Sequence, residues 1–180
     1  CRIDTGCGIE REIEVLIRVS KIKEKKHLPE ILECWYDKYD RSDGGVLTLV
    51  VPLLDKLDLF QIMKLNCRNR HSIPAKYQLT ERLIYRIVKQ LCVAVQTLHD
   101  NKICHFDIKT ENIAFVKDTD GADPNAEPNI VLIDLGYAEY RAEGWDTMVV
   151  TDTCLGTELY KAPEMLLERY SMYKDGRGRR

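Results

Sequence analysis

Apolar positions follow two kinds of pattern along this chain. Over residues 9 to 21, Ile9, Ile13, Leu16 and Ile17 recur at i, i+4, i+7 and i+8, which places them on one helical stripe. Glu10 and Glu14 between them are expected to face solvent. Over residues 79 to 100 the pattern is longer. Leu83, Ile84, Ile87, Val88, Leu91, Cys92, Val95 and Leu98 keep the helical interval throughout, Thr80 stands where an N-cap belongs, and Glu81 sits in the first turn, where its charge suits the helix dipole. This is the clearest helix, with Cys92 expected on its core-facing stripe and His99 at its end. A shorter helix fits residues 57 to 65. The β-forming runs 31 to 39 and 46 to 51 flank Arg41-Ser42-Asp43-Gly44-Gly45, which is turn chemistry, so they read as an antiparallel hairpin. Pro52 has no N–H to give to a ladder and ends it. Residues 113 to 116 and 130 to 133 are two more short strands, separated by a polar loop. Residues 21 to 26 are a charge run that reads as a solvated helix end. Residues 66 to 77 form a basic, polar loop whose His71 is given no role.

Composition narrows the class. The chain has 180 residues, enough for one domain with a core. Its 27 Lys and Arg nearly balance its 29 Asp and Glu, so no nucleic-acid or membrane-surface partner is expected. No apolar run approaches bilayer length, and no signal-peptide pattern opens the chain. The seven cysteines are odd in number and include no Cys-x-x-Cys pair, which points to free thiols in a reducing compartment, cytoplasmic or nuclear. Cys104 is expected to be packed, and Cys154 is the one candidate for a reactive thiol. The acidic run 118 to 123 echoes a calcium loop, but its glycine is misplaced and the twelfth position lacks a glutamate, so it reads as a plain loop. Gly6-Cys7-Gly8 has no room for the strands that a phosphate-binding loop needs.

The chemistry concentrates in Cys104-His105-Phe106-Asp107-Ile108-Lys109-Thr110-Glu111-Asn112. One loop there can aim a carboxylate (Asp107), an ammonium (Lys109) and an amide oxygen (Asn112) at a single point. The apolar run ending in Asp134-Leu135-Gly136 can deliver a second acid to the same place. These are parts for phosphoryl transfer, with Asp107 orienting and deprotonating a hydroxyl, Lys109 neutralising the transferring phosphoryl, and Asn112 with Asp134 holding magnesium. Read in order, H-F-D-I-K-T-E-N, D-L-G and Ala162-Pro163-Glu164 resemble the signature set of the protein kinase superfamily. The match Gly156-Thr157-Glu158-Leu159-Tyr160-Lys161-Ala162-Pro163-Glu164 to G-T-x-x-Y-x-A-P-E resembles the substrate-docking shelf of its Ser/Thr branch.

This resemblance implies an α+β, two-lobe kinase-like fold, incomplete at both ends. Residues 1 to 51 are a small-lobe remnant, 52 to 56 the hinge, 57 to 175 part of a mainly helical large lobe, and 176 to 180 a basic tail. It implies ATP and Mg2+ as the bound species and a protein with a Ser or Thr hydroxyl as the acceptor. Glu12 matches the glutamate of the family's C helix, which pairs with a strand lysine missing from this chain. Val51 falls at the gatekeeper, Pro52 and Leu54 in the adenine-binding hinge (with the Leu54 amide as donor), and Ala114 under the adenine ring. Thr157 is expected to hydrogen-bond toward Asp107 and Lys109, and the lysine two places after the catalytic acid favours Ser/Thr over Tyr. Leu135 replaces the family's Phe with another large apolar side chain, so packing there should survive. The alternatives are a kinase-fold interaction module without catalysis and, ranked last, a small-molecule kinase.

Two positions depart from the family. Phe106 replaces an arginine that normally receives an activation-loop phosphate, and a phenyl ring cannot pair with a dianion. Thr153 has the spacing of the phosphorylated residue, so the full-length protein is expected not to need phosphorylation there. Asp175 matches the acid that braces the catalytic loop, but Gly176-Arg177-Gly178-Arg179-Arg180 follows where an apolar helix should begin. Without that helix the isolated chain is expected to be unstable or to aggregate, and without the lysine strand and a glycine-rich loop it is expected to be nearly inert.

Overall fold

The computed structural model describes residues 8–38, 45–69, 73–116, 128–141, 155–163 and 165–166. The activation-segment candidates Thr153 and Cys154, and Asp175 with the basic tail, lie outside them, as do His71, Glu164 and the acidic run.

Helix α1 (Gly8–Ser20) opens the described chain, followed by the antiparallel hairpin of β1 (Glu33–Lys38) and β2 (Gly45–Val50). In register, Trp35 pairs with Thr48 and Tyr36 with Leu47 along the hairpin backbone. Strand β3 (Leu54–Asp58) leads directly into helix α2 (Leu59–Asn69), and helix α3 (Glu81–Asp100) follows. The remaining strands are short: β4 (Ile103–Cys104), β5 (Ile113–Val116), β6 (Ile130–Leu132) and β7 (Glu139–Tyr140). Strands β3, β5 and β6 make a three-stranded antiparallel sheet with β5 in the centre, and β4 pairs antiparallel with β7. A small part of one helix and a hairpin thus adjoins a mainly helical part with short strands, the α+β arrangement expected.

The core is one continuous apolar cluster. Leu83, Ile87, Ala94 and Leu98 of α3 meet Ile130 and Leu132 of β6, with Ile103, Phe115 and Leu135 beside them. Gln90 fastens the same contact. Its amide group donates to the Pro128 carbonyl and accepts from the Ile130 N–H, both at 2.8 Å. The loop after α1 docks on this sheet edge through His27, whose carbonyl accepts from the Leu132 N–H at 2.9 Å. The expected cap is present: the Thr80 hydroxyl accepts from the Leu83 N–H at 3.2 Å.

Several boundaries and faces differ from expectation for identifiable reasons. The short helix begins at Leu59, not 57, and runs on to Asn69, because Asp58 caps it: its carboxylate accepts from the Gln61 N–H at 2.7 Å. Part of the expected hinge is strand, since Leu54 already pairs with Val116. The segment after α2 is not merely a polar surface loop. Ile73 and Tyr77 are buried, Tyr77 meets Phe115 edge-on, and the Asn66 amide holds the Tyr77 carbonyl at 2.9 Å. In α1 the inward face is Val15, Leu16 and Val19, while Ile17 is exposed. Apolar residues stand on both sides of that helix, and packing selected the side that includes Glu12. In α3 the expected stripe is wider than the buried face. Ile84, Val88 and Cys92 are exposed and Ala94 is buried in their place. Cys92 is therefore not a core residue. Cys34, Cys67, Cys92 and Cys104 are all free thiols, as expected, and Cys104 is half-buried.

Candidate active site

Strand β4 delivers the chain to the site. Ile103 is fully buried, which fixes the entry, and the next four residues reverse direction. Phe106 makes the reversal with φ 61, in the left-handed region that side chains such as phenylalanine rarely occupy. The buried His105 ring secures both sides of that turn. Its Nε2–H donates to the Ile133 carbonyl at 3.1 Å, and since a carbonyl only accepts, Nδ1 is left bare to accept from the Asp107 N–H at 3.2 Å. Burial lowers the His105 pKa, which keeps the ring neutral and this tautomer intact. Ile133 directly precedes Asp134, so one imidazole ties together the two loops that carry the acids.

The Asp107 carboxylate is only 2 % exposed and accepts along both oxygens. Oδ1 takes the Thr157 N–H and hydroxyl, each at 2.7 Å; Oδ2 takes Lys109 Nζ at 2.6 Å and the Asn112 amide at 3.2 Å. Lys109 also reaches the Thr157 hydroxyl at 3.0 Å. Burial by itself raises the Asp107 pKa, but hydrogen bonds from Lys109 and Thr157 outweigh it and hold the carboxyl below the usual range. The same bond to Asp107 raises the Lys109 pKa, and Asp134 adds to it. Asp107, Lys109, Asn112 and Thr157 are therefore one cluster, and Asp134 lies close enough to act on it through space.

Asn112 sits in a 3₁₀ turn after Lys109. Its amide nitrogen also donates to the Asp107 carbonyl at 2.9 Å, which leaves its side-chain oxygen as a free acceptor direction, and the Ile133 N–H donates to its backbone carbonyl at 2.9 Å. Asp134 is exposed, with φ 64, and one of its oxygens accepts from the Gly136 N–H at 3.2 Å. A Cβ placed on Gly136 would stand 3.2 Å from that oxygen and 3.9 Å from the Glu12 carboxylate. Glu12 and Asp134 thus face each other across Gly136. Burial first, and then the Asp134 charge, raise the Glu12 pKa. An exposed carboxylate, an amide oxygen and crowded negative charge form an all-oxygen donor set that fits magnesium, which takes one or two protein carboxylates and fills its remaining positions from phosphate and water. Among the described residues no group of three or more His, Cys, Asp or Glu is placed to hold a metal ion.

The adenine-side candidates lie on or beside β3 and β5. Ala114 is buried in β5, while Val51, at 50 % exposed, and the half-buried Pro52 and Leu54 precede or open β3. Four features of the site were not singled out in the sequence. Asp58 lies opposite Ala114 while capping α2; its signal was the D-x-x-Q spacing of a capping box. His105 bridges the two acid loops. Gly156 has φ +82, and a Cβ there would fall 2.2 Å from the Phe106 carbonyl oxygen. Tyr160 reaches Thr110 at 3.0 Å, placing the shelf against the catalytic loop.

The protein kinase domain family matches residues 5–177. The chain belongs to the protein kinase family. This kinase chain is 30% identical over 190 residues to calcium-dependent protein kinase 6 of Plasmodium berghei, covering 94% of this chain and 12% of that protein. It is 27% identical over 183 residues to the dual specificity protein kinase CLK2 of Mus musculus, covering 89% and 34%. A probable serine/threonine-protein kinase, MARK-B of Dictyostelium discoideum, is 29% identical over 168 residues, covering 93% and 19%. The chain thus spans about a third or less of the length of each of these relatives. No helix among the described residues is long and apolar enough to cross a membrane.

Proposed function

We propose that this kinase chain carries the phosphoryl-transfer centre of a Ser/Thr protein kinase, moving the γ-phosphoryl of ATP to a protein hydroxyl. The observation that carries the proposal is the four-way engagement of the Asp107 carboxylate by Lys109, Asn112 and Thr157. Thr157 comes from the shelf and Lys109 from the loop, so the group that would handle the acceptor hydroxyl and the surface that would carry the acceptor are joined before substrate arrives.

Asp107 is held ionised and is consequently a weak base. It orients the hydroxyl and takes its proton as the new O–P bond forms and the bond from the γ-phosphorus to the bridging oxygen breaks, releasing ADP, which suits a loose transition state that asks for little base strength. Lys109 is shared between Asp107 and Thr157 and can turn toward the transferring phosphoryl to neutralise it. Asn112 and Asp134 are the residues that would hold magnesium, which when bound supplies charge neutralisation at the phosphate oxygens. Ala114 would floor the adenine, with Val51, Pro52 and Leu54 on its rim, and Glu12 would anchor the lysine that grips the phosphates. The lysine at the second position after Asp107 and the Thr157 shelf favour Ser/Thr acceptors. Because the CLK relatives are named as dual-specificity kinases, tyrosine peptides belong in the same assay.

The test uses the full-length gene product. In the wild type ATP binding should require magnesium and phosphate should appear on Ser/Thr peptides, whereas Asp134→Asn should lose both the magnesium-dependent binding and the transfer. ATP binding indifferent to magnesium, with no phosphate transferred, would instead favour a kinase-fold interaction module.

A further inference from the structure

Two cation–ring contacts link helix α1 to the catalytic loop, and neither belongs to the centre described above. The Arg18 guanidinium lies 3.3 Å from the centroid of the Tyr140 ring, close enough for flat stacking. Arg18 is held for this by Glu14, one turn earlier, at 2.8 Å. Tyr140 belongs to β7 and pairs with Ile103 of β4, the strand that feeds the catalytic loop. The next residue, Arg141, donates its N–H to the Lys102 carbonyl at 2.8 Å, and its guanidinium binds Glu139 at 2.9 Å. That guanidinium also stands 5.8 Å from the centroid of Phe106, the left-handed residue immediately before Asp107.

We propose that Arg18 on Tyr140 and Arg141 on Phe106 form a phosphate-independent brace that holds helix α1, and with it Glu12, in register with Asp107. An arginine in place of Phe106 would need an anion from the activation segment to complete it. Here the polarity is inverted: Phe106 of the loop offers a ring face to Arg141, just after β7, and Tyr140 of β7 offers one to Arg18 of α1. Glu12 lies on the same face of α1 as Val15, Leu16 and Val19, one and a half turns before Arg18, so rotation of α1 released at Arg18 would carry Glu12 away from Gly136 and Asp134. Arg18 and Tyr140 are positioning residues and touch no substrate. Their role in catalysis rests on the kinase reading; the brace itself does not.

The experiment separates the two. In the full-length product, hydrogen exchange is followed at the amides of 12–20 and of α3 in wild type, Arg18→Met, Tyr140→Leu and Tyr140→Phe. The brace requires faster exchange in α1 alone, by roughly three- to tenfold, in Arg18→Met and Tyr140→Leu. Tyr140→Phe, which keeps the ring face, should restore the wild-type pattern. In peptide phosphorylation the first two variants should show kcat lowered or KM for ATP raised about fivefold, with KM for the peptide unchanged because the shelf is not part of the brace. Phosphatase treatment should leave the wild-type rate and exchange as they were. Unchanged α1 exchange in Arg18→Met, equal acceleration in α3, or a large loss of rate after phosphatase treatment would overturn the proposal. A wild-type protein that transfers no phosphate would sink the kinase reading, while the exchange data would still decide the brace.

Discussion

At the scale of single residues, the site is built from conformations that only particular side chains tolerate. Gly156 is the sharpest case. With φ +82 and the Phe106 carbonyl 2.2 Å from any Cβ, Gly156→Ala must push the shelf off the catalytic loop and break the Thr157 bonds to Asp107. We expect Gly156→Ala to lower kcat/KM by at least about 100-fold, equivalent to ~2.7 kcal/mol, with the melting temperature shifted by only a few degrees. Steady-state kinetics beside thermal denaturation checks this; full activity in the variant would contradict it. Asp107→Asn keeps the shape but removes the charge that organises Lys109 and Thr157, and phosphoryl transfer should fall by about 1,000-fold or more while ATP still binds. Glu12 points the opposite way energetically. Burial and the facing Asp134 charge raise its pKa, so the ionised form opposes folding at neutral pH. Glu12→Gln should therefore raise the denaturant midpoint slightly while lowering phosphotransfer, and a drop in both would show that Glu12 is merely structural.

At the scale of elements, helix α3 holds the catalytic loop from beneath, and its sequence announced it: a capping threonine, an acid in the first turn and apolar residues at unbroken helical spacing. Leu98 is fully buried at its C-terminal end, just before β4. Leu98→Ala should cost about 2–5 kcal/mol, measured by urea denaturation, whereas Thr80→Ala at the exposed end should cost about 1 kcal/mol. Similar losses from both would contradict the burial. The hairpin of β1 and β2 was legible for the same kind of reason, two β-forming runs around a glycine-rich turn, as were the acids of the two motif loops. Periodicity failed where it was ambiguous or silent. Helix α1 carries apolar residues on two faces, and tertiary packing chose between them. Strands β4 and β7, two residues each, are too short to leave a pattern. The left-handed backbone at Phe106 and Asp134 has no glycine to mark it, and the His105 bridge joins residues 28 apart in sequence.

For the molecule as a whole, the neutral, buried His105 makes stability depend on pH in a direction that can be worked out. Burial lowers its pKa in the folded state below the ordinary 6.5, so the unfolded chain binds the proton more readily. Folding stability from this group is complete above pH ~6.5 and is lost as pH falls from there toward the folded value, at no more than about 1.4 kcal/mol per pH unit for one proton. Asp107, held below its ordinary value by Lys109 and Thr157 against the opposing effect of burial, contributes stability that disappears only at lower pH, below about 4. Two acid limbs follow, and only the upper one involves His105. Protonating Nδ1 also removes the acceptor for the Asp107 N–H, so activity should fall along that same upper limb, although Asp107 itself stays ionised. The denaturant midpoint, followed from pH 7.5 to 3.5 in wild type and His105→Gln, tests this. His105→Gln should be less stable at pH 7.5 and should lack the slope that opens below pH ~6.5, while keeping the slope below about 4. An identical upper slope in the variant would mean that the imidazole bridge does not couple the two acid loops to pH.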